Sequence, residues 1–171
     1  MDIRVELAKN TIDKYLTSGE VIDSNEAPEE LQKQKAGCFV SIHKKSNEEL
    51  RGCIGTVLPA YKNLAAEIIG NAISACHDSR FEPINQAELN DLDISIDVLN
   101  EPEPISSPNS LEPKKYGVIV KSKDGRTGLL LPDLEGIEDA MYQVSIARQK
   151  AGILPNETVY LYRFTVNRYK M

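Results

Sequence analysis

The chain has 171 residues, 41% hydrophobic and 27% charged, with a net charge of −6 and a pI near 5.0. That length suits one domain or two small subdomains sharing a core, and the composition is that of an ordinary soluble globular protein. The acidic balance argues against a general nucleic-acid binder, which needs a basic footprint, and no apolar run approaches the ~18 residues of a membrane span. Met1–Glu6 lacks the apolar core of a signal peptide. Cys38, Cys53 and Cys76 form no CxxC pair, so reduced cytoplasmic thiols are expected, with Cys38 and Cys76 as small buried hydrophobes.

Residues 3–17 read as an amphipathic helix, with Val5, Ala8, Ile12 and Tyr15 or Leu16 at helical spacing, Asp2 as cap and Gly19 as stop. An acidic polar stretch, 20–35, holds a short helix near 29–35. Residues 36–43 read as a strand with Cys38, Val40 and Ile42 on one face. A polar turn over 44–49 leads back into residues 50–55 as the antiparallel partner. A helix from 62 to 76 carries a broad apolar face, and its alanines permit close packing on a sheet. Residues 92–99 alternate Leu92, Ile94, Ile96 and Val98 with Asp93, Ser95 and Asp97, a half-buried strand.

Residues 100–113 contain four prolines and three serines and read as an irregular connection between subdomains at 1–100 and 114–171. Between Ile84 and Pro113 there are seven acidic residues and no basic one, which makes that surface unattractive to phosphates. Asp124-Gly125 between residues 116–121 and 127–131 is a strong hairpin signal. A helix over 137–151 is expected to turn Met141, Val144, Ala147 and Ala151 inward, with Gly152 as its stop. Residues 159–169 read as one long strand with Tyr160, Tyr162, Phe164 and Val166 on one face; a stacking platform for bases is the functional alternative to a core-facing stripe. Hairpins with helices inserted between strands make the fold α+β. The two halves, 36–99 and 116–169, share this outline without a detectable sequence repeat.

The stretch Leu50-Arg51-Gly52-Cys53-Ile54-Gly55 stands apart. Regular alternation would send Leu50 and Ile54 to the core and Arg51 and Cys53 to the opposite face, while the glycines would open space for a backbone or a ligand. On these residues the chain resembles the AMMECR domain family, whose microbial members are also called AmmeMemoRadiSam system protein A. Asp78-Ser79-Arg80-Phe81-Glu82-Pro83, Gly128-Leu129-Leu130-Leu131-Pro132 and Lys150-Ala151-Gly152 follow in the family's order. The resemblance implies one AMMECR domain over 1–171, with two β-rich subdomains. It also implies association with Memo-like and radical-SAM proteins, and it names no reaction.

Two functional readings stay open. The first is an accessory or binding protein for those partners. The second is an enzyme in which Arg51 holds a small anionic substrate, Gly52, Gly55 and Arg80 help bind it, and Cys53 or Asp78 reacts. An arginine's planar fork suits an anion, and a neighbouring cation favours thiolate. Against these stand an inert Cys53 in a tight strand pairing, an ion pair from Arg51 to Asp78 or Glu82, and an Asx-turn at Asp78 with Arg80 paired. A Cys53–His77–Asp78 triad is weighed against a solvated His77. Cys53, Cys76, His43 and His77 lack the spacing of a zinc site, so no metal is expected. Gly52-x-x-Gly55 lies in a strand of an acidic protein, unlike the GxxG loop of KH domains. Neither a phosphate-binding loop nor a dinucleotide fingerprint is present, so no cofactor is expected.

Overall fold

A computed structural model describes all 171 residues, Met1–Met171. In chain order the elements are α1 Ile3–Ser18, α2 Glu29–Lys33, β1 Cys38–Lys44, β2 Leu50–Gly55, α3 Leu64–Ala75, β3 Leu92–Leu99, β4 Glu103–Ile105, β5 Gly117–Ser122, β6 Thr127–Leu130, α4 Ala140–Ala151, β7 Val159–Phe164 and β8 Val166–Lys170. The fold is α+β, as expected. The chain divides into two compact units, Met1–Val98 with Asn167–Met171, and Leu99–Val166.

The first unit holds a sheet of order β2-β1-β3-β8, in which β1 pairs antiparallel with both β2 and β3. Helix α1 starts where the Asp2 carboxylate accepts the Arg4 N–H at 2.9 Å and ends at Gly19, whose left-handed φ of 74° a β-carbon would disfavour. Val5, Ala8 and Ile12 from α1, Leu64, Ile68 and Ala72 from α3, and Cys38, Val40, Ile42 and Ile96 from the sheet form one buried core. Each fully buried aliphatic side chain contributes roughly 1.5–3 kcal/mol.

The second unit holds a sheet of order β4-β7-β5-β6. Val118, Val120 and Leu130 of its strands pack with Val144 and Ala147 of α4, beside Leu111 and Ile153. Its outline repeats the first: a hairpin, a helix, then a third strand laid antiparallel beside the first strand of the hairpin.

Several expectations are corrected. The proline-rich stretch is part of the second unit, because Glu103, Pro104 and Ile105 pair with Arg163, Tyr162 and Leu161, and Arg163 Nη1 donates to the Ser110 carbonyl at 2.8 Å. The long C-terminal strand is two strands, broken at Thr165, with β7 in one sheet and β8 in the other. An alternating pattern shows which residues share a face and is silent on which sheet receives them. Phe164 is buried, whereas Tyr160 is 54% exposed; Val159 and Leu161, on the opposite face of β7, pack on the core. In α4 it is Gln143, fully buried, that turns inward, and Met141 lies 63% exposed.

Candidate functional site

Residues Leu50–Gly55 form β2, the edge strand of the first sheet. Its register against β1 slips by one: Gly52 stands opposite Ile42, but Leu50 stands opposite His43. Arg51 is therefore the extra residue of a β-bulge, and a bulge breaks side-chain alternation. Opposed residues share a face. Ile54 and Gly52 lie across from buried Val40 and Ile42, while Leu50 joins Cys53 on the face of His43 and Ser41. This overturns the expected grouping of Leu50 with Ile54.

Arg51 is an internal brace. Nε and Nη2 donate to the Glu88 carboxylate at 2.7 and 3.1 Å, Nη1 to the Glu82 carbonyl at 2.7 Å and Nη2 to the Pro83 carbonyl at 3.3 Å. The partner is thus Glu88 rather than the carboxylate of Asp78 or Glu82, and the Arg51 side chain keeps only 11% exposure. Glu88 also caps the Gln86–Asp91 turn, accepting the Asn85 N–H at 3.0 Å. The Arg51 hydrogen bond, ahead of the cost of burial, holds its carboxyl below the usual range.

Asp78 is equally committed. Oδ1 accepts the Arg80 N–H and Nε, each at 3.1 Å, and Oδ2 accepts Arg80 Nη2 at 2.7 Å and the Cys53 N–H at 3.0 Å. The turn thereby satisfies a backbone donor on the open edge of β2, the kind of group that would otherwise invite another strand. Hydrogen bonding from Arg80 drives the Asp78 carboxyl far below its ordinary value. Arg80 itself stays 59% exposed and reaches the Cys53 carbonyl at 3.5 Å.

The glycines answer to packing. A β-carbon on Gly52 would lie 2.2 Å from the Ala75 carbonyl oxygen, and one on Gly55 would lie 2.2 Å from the Phe39 ring. The space above each is filled by the protein's own atoms, so the expectation of open room for a ligand is corrected there.

Cys53 is half-buried, its Sγ 3.2 Å from Ser41 Oγ. Burial pushes its thiol up; the Ser41 hydrogen bond and the Arg80 charge offset part of this. The nearby cation is Arg80, since Arg51 is spent on Glu88. Cys38 and Cys76 are buried, and burial pushes each up to about 12. His77 Nε2 shares a hydrogen bond of 2.9 Å with the Tyr15 hydroxyl, and the rings meet edge to face. With His77 so engaged and Asp78 saturated, the Cys–His–Asp arrangement does not form. Cys53, Cys76, His43 and His77 do not converge, and no group of three or more His, Cys, Asp or Glu side chains makes a metal-ligand set.

Residue-by-residue reading misses Glu67 and Asn71. Glu67 is fully buried on α3; it accepts the Thr56 hydroxyl and the N–H groups of Ala60, at 3.2 and 3.1 Å, and Tyr61, at 3.0 Å. Asn71 donates to the Cys38 carbonyl at 2.9 Å and Thr56 Oγ1 at 3.2 Å. The signal was available: two polar residues four apart, in phase with inward Leu64 and Ala75. Asn85-x-x-Glu88 likewise carries a capping-box pattern.

The geometry defines an α+β protein of two four-stranded sheets whose signature strand is braced by its own arginines and carboxylates. The AMMECR1 family profile matches residues 5–169, and the chain belongs to that family. A Thermotoga maritima protein is 50% identical over 169 residues, covering 97% of this chain and 96% of its own. The Clostridium acetobutylicum protein CA_C1420 is 45% identical over 99% of this chain, which spans only 36% of that longer protein. The crystal structure of the uncharacterized protein PH0010 from Pyrococcus horikoshii superposes with a TM-score of 0.87 at 31% identity, covering 98% of this chain and 89% of that one. No helix is long and apolar enough to cross a membrane.

Proposed function

We propose that the chain is a cytoplasmic accessory protein that binds Memo-like and radical-SAM partners, with Leu50–Gly55 as the braced framework of its binding unit. The observation that carries this reading is the internal use of the charged groups: Arg51 makes four hydrogen bonds within the fold, and all four lone-pair positions used on Asp78 go to Arg80 and the Cys53 backbone. A group so satisfied gains little by turning to a substrate. The Clostridium relative, of which this chain spans 36%, supports a component that works beside another module. The test is titration of the purified chain with a Memo-like protein and with a radical-SAM protein by calorimetry. Micromolar or tighter binding to either supports the reading, and no heat and no co-elution at 100 μM would sink it.

One observation favours the second reading, an enzyme acting on a small anion. Arg80 is 59% exposed beside a half-buried thiol, so its guanidinium can meet a carboxylate or phosphate with Cys53 at hand. Thermal melts against a panel of phosphates and carboxylates test it, because a ligand that prefers the native state raises the midpoint. A shift in wild type that disappears in Arg80→Leu supports the anion site. Iodoacetamide kinetics test the thiol: with its pKa raised, Cys53 should react more slowly than free cysteine, yet before Cys38 and Cys76.

A further inference from the structure

The strand β2 runs into Thr56–Asn63, and the side chains of this loop divide sharply by exposure. Leu58 is 68% exposed and Tyr61 43%, with Pro59 and Ala60 exposed between them and Val57 half-buried. The backbone of the same loop is held from below. Glu67 takes the N–H groups of Ala60 and Tyr61 and the hydroxyl of Thr56. The Thr56 and Val57 carbonyls press on Gly37, where an added β-carbon would lie 2.3 and 2.5 Å away. The Tyr61 ring lies on Gly70, 2.5 Å from where a β-carbon there would sit, and Lys62 Nζ donates to Asn25 Oδ1 at 2.8 Å. A fully buried acidic side chain that spends its hydrogen bonds on one loop, while Leu58 and Pro59 of that loop stay exposed, is a costly way to shape a surface. A loop held this firmly loses little entropy on binding.

The neighbouring surface adds a sign. Of the acidic residues over 20–30, Glu20, Glu29 and Glu30 are paired with Lys14, Lys33 and Arg4. Asp23 and Glu26 flank Asn25, the residue that holds Lys62, and both are exposed with no ion pair. We propose that Val57–Tyr61 is a preformed apolar knob that docks into a partner protein bearing an apolar socket with a lysine- or arginine-rich rim facing Asp23 and Glu26. This rests on the accessory reading and locates its contact surface. The longer Clostridium protein, with a further segment on the same chain, fits a partner that is itself a folded protein.

The test uses the full chain and the same two purified partners, a Memo-like and a radical-SAM protein. Leu58→Asp melts with wild type because Leu58 is exposed, and is expected to weaken binding at least 10-fold. Asp23→Asn with Glu26→Gln is expected to weaken it several-fold and to flatten the salt dependence. Met141→Asp, at a comparably exposed apolar residue of the second unit, should leave affinity unchanged. Binding that survives Leu58→Asp overturns the knob and leaves the accessory reading standing, whereas no binding of either partner by wild type overturns both.

Discussion

The two units use one plan with different polar investments. In each, the second hairpin strand carries a glycine opposite a β-branched residue, Gly52 across from Ile42 and Gly128 across from Val120. In each, a helix carbonyl comes so close that a β-carbon would collide: Ala75 over Gly52 at 2.2 Å, Ala147 over Gly128 at 1.9 Å. In each, an arginine early in or just before that strand reaches the segment after the helix. Arg51 takes the Glu82 and Pro83 carbonyls and Glu88, while Arg126 takes the Gly152 carbonyl at 2.6 Å and Glu157. The chain then crosses over: the segment after β3 becomes β4 beside β7, and the segment after β7 becomes β8 beside β3.

The difference lies in what the helix buries. Four residues past its cap, α3 carries Glu67 and α4 carries Gln143, both without exposure. Glu67 holds a loop by three donors. Gln143 makes one bond, Nε2 to the Tyr116 carbonyl at 2.8 Å, and its Oε1 is left without a protein partner. The arginines differ likewise, Arg51 at 11% exposure and Arg126 at 37%. The shared features hold hairpin to helix; the features peculiar to the first unit shape one loop and one strand edge.

The glycine device should give the largest effect. Gly52→Ala and Gly128→Ala each force a backbone carbonyl aside, and each is expected to cost about 3 kcal/mol or more in urea melts, at the upper end of overpacking. Tolerance of one but not the other would break the equivalence of the two units. Gly55→Ala meets Phe39 at Cγ, an atom that rotation about χ1 can carry away as no backbone carbonyl can move, and should cost less.

The buried helix residues sharpen the contrast. Glu67→Leu strands two backbone N–H groups and a hydroxyl, an expected loss of about 3 kcal/mol, whereas Gln143→Leu removes one bond and an orphan acceptor together and should cost about 1 kcal/mol. Equal losses would show that the first unit invests nothing special in its loop.

Arg51→Leu comes next, at about 2 kcal/mol, since its pair is only partly buried. Adding Glu88→Gln should recover part of the loss, because glutamine keeps the capping box without a stranded charge. Adding Asp78→Asn should not, since Asp78 belongs to Arg80. Arg126→Leu should show the smaller loss of the two arginines.

The last effect is one of pH. Because the Asp78 carboxyl is depressed in the folded state, its stabilisation is fully present above the unfolded value of about 3.9 and fades as pH falls below it toward the folded value. Between pH 5 and 8 Asp78 contributes no slope. Acid melts of wild type and Asp78→Asn should therefore converge as pH drops below about 4, and curves that stay parallel to pH 2 would remove Asp78 from the account.

Most of the local elements are legible in short stretches of the chain. Alternation placed β1 and β3, Asp2 and Gly19 bounded α1, Asp124-Gly125 marked a hairpin and Leu50–Gly55 marked the family, because each signal acts between residues near in the chain. Where the charges went depends on contacts between segments far apart in the chain. A one-residue bulge turned Arg51 away from Cys53, and its partner proved to be Glu88, 37 residues on. Pairing across space also split the last strand between two sheets and drew residues 103–105 into the second. Periodicity reports a residue's face; the choice of sheet and of ionic partner depends on which segments compete for the same edge once the chain has collapsed.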